Sequence, residues 1–285
     1  VSRVTDVVLQ NDILLHFPYH SFDPVIDLLR EAAIDPDVTS IKITAYRLAQ
    51  HSKVINALVN AVRNGKAVTV MLELRARFDE ENNLRWKQLL EEEGVRVLLG
   101  YPNQKVHAKA CLIKKRAGKR TIHYGFVSTG NLNEQTARIY CDTCLLTANR
   151  NIMADVNRIF AYLEKPKAGL RDLKMCKTLV VAPSFMRRQL IALVNNEIKN
   201  AALGRKASIH LKLNSLSDEM LIQKLYDAAQ AGVEIQMVVR GIFCAKTDSK
   251  RFLKNIYAVS IVDEFLEHAR FMVFHPSWGY FAKAY

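Results

Sequence analysis

Apolar residues recur along this chain with two periods. Val54, Ile55, Leu58, Val59 and Val62 share one face of a helix that Gly65 ends. Asp23-Pro24 opens an earlier helix, with aspartate as cap and proline at the first helical position, and Pro36 closes it. Short runs rich in β-branched residues predict strands over 40–45 and 67–74. An acidic helix over 79–93, stopped by Gly94, then precedes a strand over 95–99. The order β-α-β-α-β predicts a mixed, largely parallel sheet flanked by helices, an α/β fold.

The same order begins again further on. After a helix over 152–163, the segment 165–177, with Pro166, Gly169 and mixed charges, reads as an inter-domain linker. Residues 179–182 with Pro183 echo 13–17 with Pro18, and 207–213 echo 40–45. A helix over 220–231, Gly232 and a strand over 233–239 echo 54–64, Gly65 and 67–74. A strand over 257–262 followed by E-H-A-R-F-M-V-F echoes 95–99 followed by V-H-A-K-A-C-L-I. An offset of about 165 residues marks a duplicated domain. The expected domains are 1–168 and 169–285, with His107 and His268 in equivalent places, facing each other across a pseudo-twofold cleft.

Composition narrows the class. With 285 residues, 49% hydrophobic and 24% charged, the chain is globular and long enough for two domains. It has no run of about eighteen apolar residues and no signal-peptide pattern, so a cytoplasmic placement is expected, with attachment at the membrane periphery left open. It opens on Val1 without methionine, which suggests a fragment. The balance of 41 basic against 28 acidic residues, net +13, calls for a polyanionic partner without choosing among nucleic acid, anionic membrane and polyphosphate. Five cysteines without repeated spacing fit a reducing compartment; the Cys141/Cys144 pair has a spacing that puts the two side chains on opposite faces of a strand.

The candidate chemistry lies in 105–133. On a strand through K-V-H-A-K-A-C-L-I, His107 and Lys109 share one face, while Val106, Ala108, Ala110 and Leu112 pack on the other. A lone strand histidine is ordinarily structural. Here another strand, over 121–127, leads into Ser128, Thr129, Gly130, Asn131 and Asn133, whose hydroxyls, amides and open backbone suit phosphate oxygens. Lys114, Lys115, Arg116, Lys119 and Arg120 form a basic hairpin tip between the two strands, read as solvated.

An H-x-K followed by a small-residue G-N turn resembles the half-site of the phospholipase D superfamily. The aspartate usual five residues after the lysine is replaced by Lys114. The words K-V-H-A-K, S-T-G-N-L-N-E-Q-T-A-R-I-Y, I-T-A-Y-R, L-R-A-R-F-D-E-E-N-N, V-V-R-G and S-I-V-D-E-F-L-E-H-A-R together resemble the two C-terminal domains of the long, histidine-phosphorylated polyphosphate kinases, over roughly residues 4–274. The resemblance implies two tandem phospholipase D-like domains, the second one truncated. It also implies reversible transfer of the ATP terminal phosphoryl group to inorganic polyphosphate through a phosphohistidine.

Carried over, the nucleophile is His107, and Tyr140, Arg240 and His268 are the nucleotide contacts, with Asn131 counted beside them. The positions the family assigns to Mg²⁺ fall on Arg47 and Arg77. Arginine has no lone pair to offer a cation, so these two read as clamps on a Mg-phosphate moiety. Lys109 adds charge at the reacting phosphate. The implied partners are ATP/ADP, polyphosphate and the N-terminal domains of the same enzyme, in a homo-oligomer and without nucleic acid. In departure from the family, Phe126 replaces a histidine found in some members, and the tail from His275 does not match. Without the N-terminal half, polyphosphate binding is expected to survive and synthesis to suffer. The rival readings are a phosphodiesterase or nuclease of the H-x-K type and a non-catalytic polyanion-binding module.

Overall fold

The computed structural model describes residues 3–74, 80–100, 105–183, 185–275 and 282–284. The chain divides into two compact units, Val1–Leu179 and Val180–Tyr285. The first contains α1 (Val4–Val8), β1 (Ile13–Phe17), α2 (Asp23–Ile34), β2 (Val38–Ala45), α3 (Lys53–Arg63), β3 (Ala67–Leu72), α4 (Glu80–Glu92) and β4 (Arg96–Leu99). It continues through β5 (Ala110–Ala117), β6 (Arg120–Ser128), β7 (Asp142–Thr147), α5 (Arg150–Glu164) and α6 (Pro166–Lys174). Its sheet runs β1-β7-β6-β5-β2-β3-β4. Only β2-β3 and β3-β4 pair in parallel. The tight hairpin between β5 and β6 makes that pair antiparallel, and β2-β5, β6-β7 and β1-β7 are antiparallel too. The sheet is therefore mixed, with a smaller parallel part than the βα alternation suggests.

Both faces of this sheet are covered. Val25, Leu28 and Leu29 of α2 and Val54, Ile55 and Leu58 of α3 bury one face with Ile41, Ile43, Val68 and Val70. Met153, Val156, Phe160 and Leu163 of α5 bury the other against Met71, Ala110 and Leu112. The α3 stripe is the one legible in the sequence, and Ser52 caps its helix by accepting from the Ile55 N–H at 3.3 Å.

The second unit contains α7 (Met186–Ala202), β8 (Ser208–Leu213), α8 (Glu219–Gln230), β9 (Glu234–Val239), β10 (Ile256–Val259), β11 (Phe271–Phe274) and β12 (Ala282–Ala284), in the sheet order β10-β9-β8-β11-β12. Strand by strand this repeats β4-β3-β2-β5-β6, with parallel β8-β9 and β9-β10 and antiparallel β8-β11 and β11-β12. Asp218 caps α8 through the Leu221 N–H as Ser52 caps α3. The Phe17-Pro18 and Ala182-Pro183 bonds, matched in the sequence echo, are both cis. The register carries the match to single residues: Ile43 opposes Cys111, and Leu211 opposes Met272.

Several expectations need correction. Segment 165–177 is largely helix α6 packed against α5, because Pro166 starts a helix at its N-terminal turn as readily as it breaks one. Asp155 of α5, buried to 1% exposure, accepts from the N–H groups of Lys177, Thr178 and Leu179 and fastens the segment that follows α6. Residues 179–182 form no strand. The cap position of α2 is Phe22; Asp23 lies inside the helix and takes a hydrogen bond from the Ser21 hydroxyl at 2.8 Å.

Gly125 in β6 is needed for the β5-β6 pairing that places the candidate chemistry. A Cβ there would lie 2.0 Å from the Cys111 carbonyl oxygen. Gly125→Ala is expected to destabilise the first unit by about 3 kcal/mol, as overpacking in a tight interior does. Urea denaturation of the two proteins checks it.

Candidate active site

The geometry around His107 follows from the point where one ladder stops. The β2-β5 pairing ends at Ile43–Cys111, and β5 begins at Ala110, so residues 105–109 lie outside the strand expected for them. Several of their backbone groups are held by side chains instead. The Thr44 hydroxyl donates to the Ala108 carbonyl at 2.7 Å and accepts from the Ala110 N–H at 3.0 Å. Glu73, 2% exposed at the end of β3, accepts from the Val106 N–H at 2.9 Å. Lys109 donates to the His107 carbonyl at 2.7 Å. Freed from the pleat, Ala108 is exposed rather than packed.

The imidazole and the ammonium still meet. The Lys109 Nζ lies 3.0 Å from each ring nitrogen of His107. In a neutral imidazole only one of the two nitrogens accepts, so the contact places the charge beside the ring without choosing the tautomer. His107 is exposed, while Lys109 is buried to 6% exposure. An accessible imidazole thus stands on a buried cation. Tyr46 completes the group: its ring meets His107 edge-on at 4.8 Å, Lys109 lies 5.1 Å from its centroid, and the Arg47 guanidinium lies 5.7 Å from it. His107, Lys109 and Arg47 are therefore brought together around one aromatic ring.

The 128–133 turn is set beside this group by the Ser128 N–H, which donates to the Lys109 carbonyl at 2.9 Å. Most of its polar groups bind one another rather than standing ready for an anion. Ser128 Oγ donates to the Thr143 carbonyl and accepts from the Gly130 N–H. Thr129 donates to Asp142 at 2.7 Å. Asn133 accepts from the Gln135 and Thr136 N–H groups. A Cβ on Gly130 would lie 2.7 Å from the Asp142 carboxyl, so that approach requires glycine. Asn131 differs: it is 8% exposed and its side-chain oxygen has no partner. That oxygen is an acceptor, so only the N–H end of the Asn131 amide could meet a phosphate oxygen.

Tyr140, half-buried, follows a short 3-10 turn and donates its N–H to the Thr136 carbonyl. Arg77 lies outside the described residues. In the second unit, His268 stands before β11 as His107 stands before β5, and Arg270 donates to the His268 carbonyl as Lys109 does to that of His107. Arg240 follows β9, and its buried Nε has no partner.

Comparison with known proteins shows the family. Residues 3–169 match the family model for the polyphosphate kinase C-terminal domain 1, and residues 179–278 match that for the C-terminal domain 2. The chain belongs to the polyphosphate kinase family. It is 47% identical to a polyphosphate kinase of Vibrio vulnificus over 96% of its own length and 39% of that protein's. With the Escherichia coli K12 polyphosphate kinase it shares 42% identity, over 94% of this chain and 38% of that protein. The crystal structure of the Porphyromonas gingivalis polyphosphate kinase superimposes with a TM-score of 0.82 at 43% identity, over 93% of this chain and 44% of that one. The chain thus spans about 39% of the length of the first of these relatives.

Within this candidate site, sequence reading missed Tyr46, Thr44, Glu73 and Asn83. Each left a signal. Tyr46 and Thr44 stand in I-T-A-Y-R, and Glu73 is a carboxylate closing the apolar run of β3. Asn83, fully buried, donates to the carbonyls of Tyr46 and Glu73 at 3.0 and 2.9 Å and ties the two together. The Cys144 thiol is pushed up to about 12 by burial, which keeps it neutral.

Thr44→Val keeps the shape of the side chain and removes its hydroxyl. It is expected to cost about 2 kcal/mol. Hydrogen exchange of the Ala110 N–H should then quicken by roughly thirtyfold. An unchanged rate would mean that the hydroxyl does not hold the segment.

Proposed function

We propose that this chain carries the chemistry of polyphosphate synthesis, the reversible transfer of the terminal phosphoryl group of ATP to inorganic polyphosphate, with His107 as the carrier. The observation that supports it most is the exposed His107 imidazole set against the buried Lys109 ammonium, with Arg47 gathered to the same Tyr46 ring. In the first step a ring nitrogen forms a bond to the terminal phosphorus as the bond to the ADP oxygen breaks, and ADP leaves with that electron pair. In the second, a terminal oxygen of polyphosphate attacks the phosphorus and the imidazole leaves. A neutral imidazole serves at near-neutral pH, because its unperturbed pKa is about 6.5.

Phosphoryl transfer asks for positioning and for cations where charge spreads over the equatorial oxygens. Lys109 and Arg47 are assigned that role, with Arg77. Tyr140, Arg240 and His268 are assigned to the nucleotide, Asn131 to a phosphate oxygen, and His268 also to donation at the transferred group. Mg²⁺ would shield the phosphates when bound. The residues present do not fit a protein-held magnesium ion: Arg47 has no lone pair, and among the described residues no group of three or more His, Cys, Asp or Glu side chains converges. In this reading the ion comes with the nucleotide.

Incubation of the protein with γ-labelled ATP is expected to leave an acid-labile, base-stable protein phosphate that His107→Gln abolishes. Label that persists in His107→Gln, or alcohol release from a phosphodiester substrate without protein labelling, would contradict the assignment.

A further inference from the structure

We propose that Glu73 is a positioning residue for His107, acting through the Val106 N–H. The proposal rests on the reading of His107 as the phosphoryl acceptor and concerns how that residue is held. Among the described residues, the segment's one backbone–backbone bond before β5 is at the Lys109 carbonyl, to Ser128, and Val106, His107 and Ala108 make none, so the orientation of His107 depends on what grips its backbone on either side. On the C-terminal side the grip is Thr44 at Ala108 and Ala110. On the N-terminal side it is the Glu73 carboxylate, 2.9 Å from the Val106 nitrogen.

Glu73 is placed firmly. Its N–H donates to the Ala45 carbonyl at 3.0 Å, which extends the β2-β3 ladder past its last paired residue, and its carbonyl accepts from the buried Asn83 amide. The same amide holds the Tyr46 carbonyl, so the residue that packs edge-on against the His107 ring and the residue that grips the His107 backbone share one anchor. A carboxylate is also the stronger acceptor for an N–H than a neutral oxygen would be. The second unit solves the corresponding problem differently. By the strand registers, Glu73 corresponds to Arg240, Thr44 to Lys212 and Val106 to Glu267. There Lys212 pairs with Glu267, an ion pair in place of the Glu73 hydrogen bond. An acid at position 73 is therefore not required by the sheet itself, and it appears in the unit whose histidine is the proposed carrier.

The test uses potassium phosphoramidate, which phosphorylates histidine directly. An imidazole nitrogen bonds to phosphorus, the P–N bond of the reagent breaks, and ammonia leaves with its electron pair. The rate at His107 is read by mass spectrometry against that at the exposed His51 of the same molecule. In Glu73→Ala the His107 to His51 ratio is expected to fall about tenfold, because the ring drifts from the Lys109 ammonium that attracts the reagent. In Glu73→Gln the ratio should stay within about twofold of the parent, since the amide oxygen still accepts from the Val106 N–H. An unchanged ratio in Glu73→Ala, or a Glu73→Gln variant that falls as far, would overturn the proposal. If Glu73→Ala does not fold, Glu73→Gln decides: a near-parent ratio with the Val106 N–H protected from exchange supports it, and a lowered ratio refutes it. No nucleotide takes part, so failure of ATP labelling would leave this result standing and would count against the carrier assignment alone.

Discussion

Backbone N–H and C=O groups taken from water must find partners, and the structure around His107 depends on how that demand is met where the β2-β5 ladder ends. A strand carried through 105–109 would have satisfied those groups and locked His107 into the pleat. Here Thr44, Glu73 and Lys109 supply the partners from their side chains. The histidine therefore stands exposed while its backbone stays fixed. The arrangement combines accessibility with precision, which a nucleophile needs and an ordinary loop does not provide.

The repeat shows which parts of this solution are general. Strand order, strand direction and helix capping recur in the second unit. So does the basic residue two positions after the histidine, bonded to the histidine carbonyl: Lys109 at His107 and Arg270 at His268. The side chains that brace the segment do not recur. A hydroxyl and a carboxylate in the first unit give way to the Lys212–Glu267 pair in the second. The fold supplies a histidine before the strand; the bracing distinguishes one histidine from the other.

Much of this was legible in the residues. The α3 stripe, the glycine stops and the matched H-A-K and H-A-R words predicted the duplicated α/β architecture, because helix periodicity and breaker residues act locally. His107, Lys109 and the turn after β6 could be singled out because H-A-K and S-T-G-N-L-N are local words. The rest depended on distant contacts. Alternation placed 105–109 on a strand, since nothing in K-V-H-A-K says that the pairing with β2 ends at Ile43. The hydroxyls of Ser128 and Thr129 read as phosphate ligands, but they are committed to Thr143 and Asp142, some fifteen residues away. Pro166 read as a break and instead begins α6. Glu73 reaches Val106 across 33 residues of chain, and Asn83 reaches Tyr46 across 37 and Glu73 across 10, beyond the reach of local pattern.

Side-chain bracing holds His107 beside Lys109, and on the proposed carrier role a phosphoryl group on its ring would be met by that ammonium. A crystal structure of the protein after reaction with phosphoramidate tests this most directly. Phosphorus is expected on a ring nitrogen of His107, with the Lys109 Nζ at about 2.8 Å from a phosphoryl oxygen, as charge-assisted hydrogen bonds run, and with the Val106 N–H still bound to Glu73. A phosphorylated His107 swung away from Lys109 with segment 105–109 displaced, or phosphorus on other histidines while His107 stays bare, would contradict it.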